Sequence, residues 1–197
     1  MRYDTEHKQR TREKVLKAAT KEIREKGPHR VGVAAVMSGA GLTHGGFYAH
    51  FSSKNDLIGA AIEEMFSESR ARLALETESH PPAEALRRYI DFYLSAKHRD
   101  ATTLGCPIPV LAADARRISK PAREQLARGV AVLSAKIAEQ LKGLGRPNAE
   151  VEAHSVLNEM VGALSLSRCE PDIAKSDAML KASKLAIKQR LGLENAR

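Results

Sequence analysis

An all-α fold is predicted: an N-terminal three-helix helix-turn-helix domain, residues 1–54, joined to a C-terminal helical bundle, residues 55–197. Three observations predict it. Apolar residues recur at helical spacing along nearly the whole chain, and no stretch alternates as a half-buried strand would. Glycine and proline punctuate that pattern where helices should stop. Aromatic residues are only 4% of the 197 and Trp is absent, so aliphatic side chains must build the core.

The elements follow in order. Val15, Leu16, Ala19 and Ile23 form one face of a first helix, closed by Arg24, Lys26 and then Gly27 and Pro28. Upstream of it lies a basic arm, residues 2–12, expected to be solvated and without a fixed place. A short second helix is predicted over residues 33–40, with Val33, Val36 and Met37 inward. Gly41 breaks it, and Thr43 can cap a third helix reaching about His50. Ser52, Ser53 and Lys54 restart the chain into a long helix, residues 55–78, carrying Leu57, Ile58, Ala61, Met65, Leu73 and Leu75.

His80–Pro82 separates this from a helix with Ala85, Leu86, Tyr89, Ile90, Tyr93 and Leu94. Gly105–Cys106–Pro107–Ile108–Pro109 is a kinked connection into a short helix with Val110 and Leu111. From Ser119, Leu126, Val130, Leu133, Ile137, Leu141 and Leu144 make a continuous apolar stripe, ended by Gly143, Gly145 and Pro147. Two last helices are predicted over residues 149–169 and 173–191. In the first, Gly162, Ala163, Ser165 and Ser167 keep one flank thin enough for another helix to approach.

The charge is unevenly spread. The net formal charge is +8, and residues 1–30 hold ten Lys/Arg against five Asp/Glu while the remainder is nearly balanced. A basic N-terminal region points to a polyanionic partner. Two cysteines, Cys106 and Cys169, make no disulfide framework. The N-terminus is charged where a signal peptide is apolar, and no apolar run approaches the roughly 18 residues of a membrane span. A cytoplasmic location away from the membrane is expected.

Function is concentrated in residues 33–51, VAAVMSGAGLTHGGFYAHF. Two short helices joined by a glycine-containing turn form a helix-turn-helix, whose second member can lie in the major groove. Its start at Thr43 aims free N–H groups at phosphates. Gly45 and Gly46 each cost roughly 1 kcal/mol of helix propensity, which close backbone approach to DNA would offset. Phe47 and Phe51 point into the small core, leaving Tyr48 and His50 to reach outward.

The run G-x-G-L-T-H-G-G-F-Y-A-H-F-x-S-K-x-D-L, Gly39 to Leu57, resembles the DNA-binding signature of the TetR family of repressors. The resemblance implies that Thr43, His44, Gly45 and Gly46 face bases and nearby phosphates. It implies that Tyr48, His50 and Lys54 clamp the backbone, and that the partners are double-stranded operator DNA, a second copy of the chain and a small-molecule effector. Gly32 stands where the family usually has a capping Ser or Thr, so that hydroxyl contact is dropped. Gly46 lacks the side chain with which many relatives read a base, which moves readout onto His44 and DNA shape.

Candidates for sensing are Cys106 and, around an inducer pocket, Tyr89, Phe92, Tyr93 and Met160. Some relatives with Gly-Cys at this connection are similar to thiol-based sensors of electrophiles or oxidants. The bland alternatives are an inert packing cysteine and an ordinary helical core. The helices over 149–169 and 173–191 are the expected dimer interface.

Two other classes fit less well. The glycines do not space as G-x-G-x-x-G, no strand precedes them, no Gly-Lys-Ser/Thr follows, and no metal-spaced Cys/His cluster occurs. No metal or cofactor is therefore expected, and an enzyme using Cys106 is disfavoured. A helical adaptor that does not bind DNA would leave the glycine-rich short helix unexplained.

Overall fold

The computed structural model describes residues 2–194. It is all-helical, with no strand among those residues. The helices are α1 (Arg2–Lys26), α2 (Val33–Gly39), α3 (Lys54–Thr77), α4 (Pro82–Tyr93), α5 (Ala96–Asp100), α6 (Ile108–Leu111), α7 (Lys120–Gly143), α8 (Ala149–Cys169) and α9 (Ile173–Leu191). Single 3-10 segments occur at His44–Ala49 and Ala112–Asp114.

Two compact units share the two long helices α3 and α7. One runs to Glu68 and includes Thr102–Gly129; the other comprises Ser69–Ala101 and the chain from Val130 onward. In the first unit the predicted face of α1 is inside: Val15, Leu16, Ala19 and Ile23 are buried with Val36, Met37, Phe47, Phe51 and Leu57. The stop after α1 takes the expected form, Gly27 in the left-handed region with its N–H on the Ile23 carbonyl at 2.9 Å. Arg24 is buried at that end, donating to Glu68 at 2.5 Å and to the carbonyls of Thr103 and Gly105 at 3.4 and 3.3 Å.

Three details depart from the sequence reading. The arm is helical from Arg2, because a nucleated helix adds one hydrogen bond per residue and Glu6, Lys8, Gln9 and Arg10 are good helix formers. Leu75 is 68% exposed, since two positions beyond buried Leu73 it falls on the opposite side of α3. No element was expected between Leu94 and Gly105, yet Ser95 caps α5 by accepting the His98 N–H at 3.1 Å.

In the second unit the α7 stripe is buried at Leu133, Ile137 and Leu141. α8 and α9 lie side by side, and α9 begins at Asp172, whose carboxylate accepts the N–H groups of Ala174 and Lys175. Arg99, buried on α5, reaches Ser176 at 2.8 Å and Asp177 at 2.5 Å on α9, and Arg168 donates to the carbonyls of His98 and Arg99 at 3.0 Å each. These bonds bind α5 to the α8–α9 pair.

Within the first unit α3 and α7 cross closely at Gly129. A Cβ there would stand 2.3 Å from the Phe66 ring, a contact that forces the ring to move. Gly129→Ala should therefore destabilise the protein by about 1–3 kcal/mol despite its better helix propensity, because overpacking outweighs that gain. Thermal unfolding checks the sign, and Phe66→Leu in the same chain should recover part of the loss. A rise in Tm for Gly129→Ala would mean that the crossing is looser than described.

Candidate nucleic-acid interface

The helix-turn-helix is built from α2, a tight turn and the segment His44–Ala49. α2 ends in a Schellman arrangement: the Leu42 N–H meets the Met37 carbonyl and the Gly41 N–H meets the Ser38 carbonyl, both at 2.9 Å. Gly41 sits at φ 73°, which a Cβ would strain. The sequence reading expected an α-helix over residues 43–50. The structure instead has a six-residue 3-10 segment, opened by the Gly46 N–H on the Thr43 carbonyl at 3.1 Å. Two adjacent glycines favour no helix, and so short a run gains little from helical cooperativity.

What fixes the segment is its aromatic anchors. Phe47 and Phe51 are 1% and 2% exposed, their rings stacked 5.8 Å apart. The Arg12 guanidinium lies 4.9 Å over the Phe51 ring, a cation–π contact that joins α1 to the end of the segment. Arg12 was not singled out from sequence, and only the third dimension brings it to Phe51.

The outward face carries the candidates. Thr43, His44, Gly45 and Tyr48 are exposed, Tyr48 at 72%, and Gly46 is half-buried. Thr43 occupies the cap position, but its hydroxyl makes no capping bond, so of its two expected roles only the outward one remains. Neither Gly45 nor Gly46 has a positive φ. A Cβ at Gly45 would meet nothing within 4 Å, and one at Gly46 only the Met37 methyl at an ordinary 3.6 Å. The chain's own packing requires glycine at neither position.

His50 closes the segment, half-buried, with its N–H on the Phe47 carbonyl at 3.0 Å. Burial, and then the charges of Lys8, Arg12 and His7, push its pKa below the usual histidine value. Lys54 starts α3, where the Ser53 hydroxyl accepts the Asp56 N–H at 3.1 Å and the Asp56 carboxylate accepts the Ser52 N–H at 2.9 Å. Lys54 is half-buried and spends one donor on the His29 carbonyl at 3.2 Å.

The sensing candidates separate. Cys106 belongs to the first compact unit, is 7% exposed, and precedes a helix of only four residues. Tyr89, Tyr93 and Met160 are buried in the second unit. Phe92 is half-buried, with its ring 3.9 Å from the Arg72 guanidinium and stacked on His98 at 5.1 Å. Cys169 is exposed on α8. Among the described residues no helix is long and apolar enough to cross a membrane.

An exposed helix-turn-helix at the basic end of an all-helical chain is the architecture of a DNA-binding transcriptional regulator. The chain belongs to the TetR family: residues 15–61 match the bacterial regulatory proteins of the tetR family, and residues 82–182 match the LmrA/YxaF-like transcriptional regulator C-terminal domain. It is 27% identical over 183 residues to the HTH-type transcriptional regulator LmrA of Bacillus subtilis (strain 168), covering 84% of this chain and 97% of that one. Over 86 residues it is 30% identical to the HTH-type transcriptional regulator TtgR of Pseudomonas putida, 44% of this chain and 40% of that one. Its fold is shared with a TetR regulator from Chloroflexus aurantiacus, at TM-score 0.81 and 23% identity over 95% of this chain and 96% of that one. It is shared also with reduced NemR of E. coli, at TM-score 0.79 and 21% identity over 91% and 95%. As a family of regulators, these relatives are not enzymes.

Gly45→Ala and Gly46→Ala should leave the fold intact or raise its stability by up to about 1 kcal/mol, while weakening DNA binding at least tenfold. Thermal melts and fluorescence anisotropy on the same samples check both halves. Unchanged affinity would remove close backbone approach from the account.

Proposed function

We propose that this regulator is a repressor whose residues 1–54 read a palindromic operator and whose residues 55–197 sense an effector and dimerise. The single observation that carries the reading is the pair Gly45–Gly46: two adjacent glycines, one exposed and one half-buried, that the chain's own packing leaves unexplained. A DNA backbone or base edge lying against them supplies the explanation. Thr43 and His44 then meet bases and nearby phosphates, and Tyr48, His50 and Lys54 hold the backbone on either side. Sequencing the genomic fragments that the purified protein retains tests this directly. A shared two-fold symmetric site is the expected result, and random recovery overturns it.

Dimerisation is supported by an exposed stripe on the α8–α9 pair. α9 turns Ala174, Ala178, Ala182, Leu185 and Ala186 outward, opposite its buried Leu180, Ile187 and Leu191. α8 presents Val151, Gly162 and Leu166 along its outer side, and a Cβ at Gly162 would meet nothing within 4 Å. Small residues at four-residue spacing let two such pairs close into a four-helix interface. Ala163 and Ser167, expected on that flank, are buried inside the unit, so they belong to its own packing. Ala178→Arg should therefore give a folded monomer in sedimentation experiments and lose operator binding with dimerisation. A dimer of unchanged affinity would place the interface elsewhere.

Release by a small-molecule inducer bound near Tyr89, Phe92, Tyr93 and Met160 is the first reading of regulation. Cysteine modification is a second, favoured by one contact: Gly105, beside Cys106, accepts a hydrogen bond from Arg24 of α1. An adduct on the buried Cys106 thiol would displace this connection and pull on the helix that holds Phe51 through Arg12. Cys106→Ser should then abolish release by an electrophile while leaving operator affinity unchanged. Persistent release in that variant leaves the inducer pocket as the trigger.

His50 adds a pH dependence. Its free-state pKa is lowered, so it is neutral at pH 7; a phosphate beside it favours the charged form and raises that pKa in the complex. Protons are then taken up on binding, and affinity should rise as pH falls from 7.5 towards 6. His50→Gln should flatten that rise in anisotropy titrations, and an unaltered slope would remove His50 from the contact.

A further inference from the structure

We propose that the exposed basic segment around Arg116, Arg117, Lys120 and Arg123 forms a second DNA-backbone contact, which extends the grip of the reading head onto flanking phosphates. This rests on the reading of Lys54 as a phosphate contact. Residues 115–123, ARRISKPAR, hold four cations and no acid. All four are exposed, with the Arg117 and Lys120 side chains 71% and 80% open. Their compensation is thin. Arg117 pairs with Asp114 at 3.2 Å and Lys120 reaches Glu124 only at 4.0 Å, while Arg116 and Arg123 have no ion pair among the described residues.

A run of charge is ordinarily a solvated face; the position of this one is what separates it. The segment belongs to the same compact unit as α1, α2 and the segment His44–Ala49. A relay of three contacts leads from it to Lys54. Arg117 holds one oxygen of Asp114 at 3.2 Å, the same carboxylate oxygen faces the His29 ring at 3.6 Å, and the His29 carbonyl accepts from Lys54 at 3.2 Å. Exposed Arg30 stands beside His29 on the same loop. The cations thus begin where the proposed phosphate contacts of the head end.

The chemistry suits a polyphosphate strand. Each strand of B-DNA offers a phosphate about every 3.4 Å, so a positive edge lengthened by a few side chains meets further phosphates of the same duplex. Arg is the better side chain for this, presenting a planar fork of donors. Such contacts carry no sequence information: they raise affinity for all duplexes alike and set the length of DNA that is covered. Asp114 is a positioning residue here, holding Arg117 and the His29 loop together.

The test uses the full chain and a fluorescein-labelled 40-base-pair duplex of mixed sequence, titrated between 50 and 200 mM salt. Three proteins are compared with the parent: R116Q/R117Q/K120Q, the charge-matched control K97Q/K136Q/K142Q from the other unit, and Lys54→Ala. If two cations per subunit of a dimer reach phosphates, the slope of log affinity against log salt becomes shallower by roughly 3–4 in the first variant. The control should keep the parental slope. A parental slope in R116Q/R117Q/K120Q, with a reduced one in Lys54→Ala, overturns the second contact and leaves the reading head intact; the patch then faces solvent or an acidic protein. A parent that binds the duplex without salt dependence overturns the head reading and this proposal together. Should the triple variant melt below the parent, ethylation interference on the parent with a retained genomic fragment decides: interfering phosphates farther from the centre of the site than those lost in Lys54→Ala support the contact, and their absence overturns it.

Discussion

Everything in the reading head depends on the burial of Phe47 and Phe51. The segment His44–Ala49 has six residues, two of them glycine, and no helical stability of its own. Burying one phenylalanine contributes about 1.5–3 kcal/mol, comparable to the propensity that two glycines forfeit. The stacked pair therefore holds in place a backbone that would otherwise unravel, and Arg12 over Phe51 joins that anchor to α1. The polar outer face is free of structural duty as a result. Thr43 makes no capping bond, Tyr48 projects, and the glycines touch almost nothing.

The same economy explains how the rest of the first unit can be connected to that segment. Arg24 gathers Glu68, Thr103 and Gly105 at the end of α1, and Asp114 faces the loop carrying His29. Both links are polar and directional, in contrast to the apolar packing around them. Packed interiors yield little to small displacements, so a change in residues 102–114 would be felt along α1 rather than absorbed.

Much of the fold was legible because helices announce themselves by period and by stops. The bounds of α8 and α9, the face of α1 and the stop at Gly27 follow from apolar spacing, glycine and proline alone. Less was legible where tertiary contact decides. The 3-10 form of residues 44–49 reflects two glycines held by distant packing, which periodicity does not report. Ala163 looked like an interface residue because it is small, whereas burial shows that its smallness serves α8's own neighbours. The exposure of Thr43, His44, Gly45 and Tyr48 was legible because the aromatic anchors of the segment point the other way, whereas Gly46, His50 and Lys54 are half-buried by tertiary packing. Arg12, Arg24 and the relay from Lys54 to Arg117 were not legible, because each joins positions far apart in sequence. The cations of residues 115–123 drew no attention in a stretch of nearly balanced charge, and only their contact with the His29 loop gives them a place.

The backbone of Gly45 and Gly46, which carries no side chains, is proposed to lie against DNA. Amide hydrogen exchange, measured on the full chain with and without a genomic fragment that the protein retains, tests it most directly. The amides of His44 and Gly45, which precede the first hydrogen bond of the segment, should exchange quickly in the free protein and become protected in the complex, together with those around Lys54. Protection elsewhere on the chain, with these amides still exchanging at their free rate, would contradict the account.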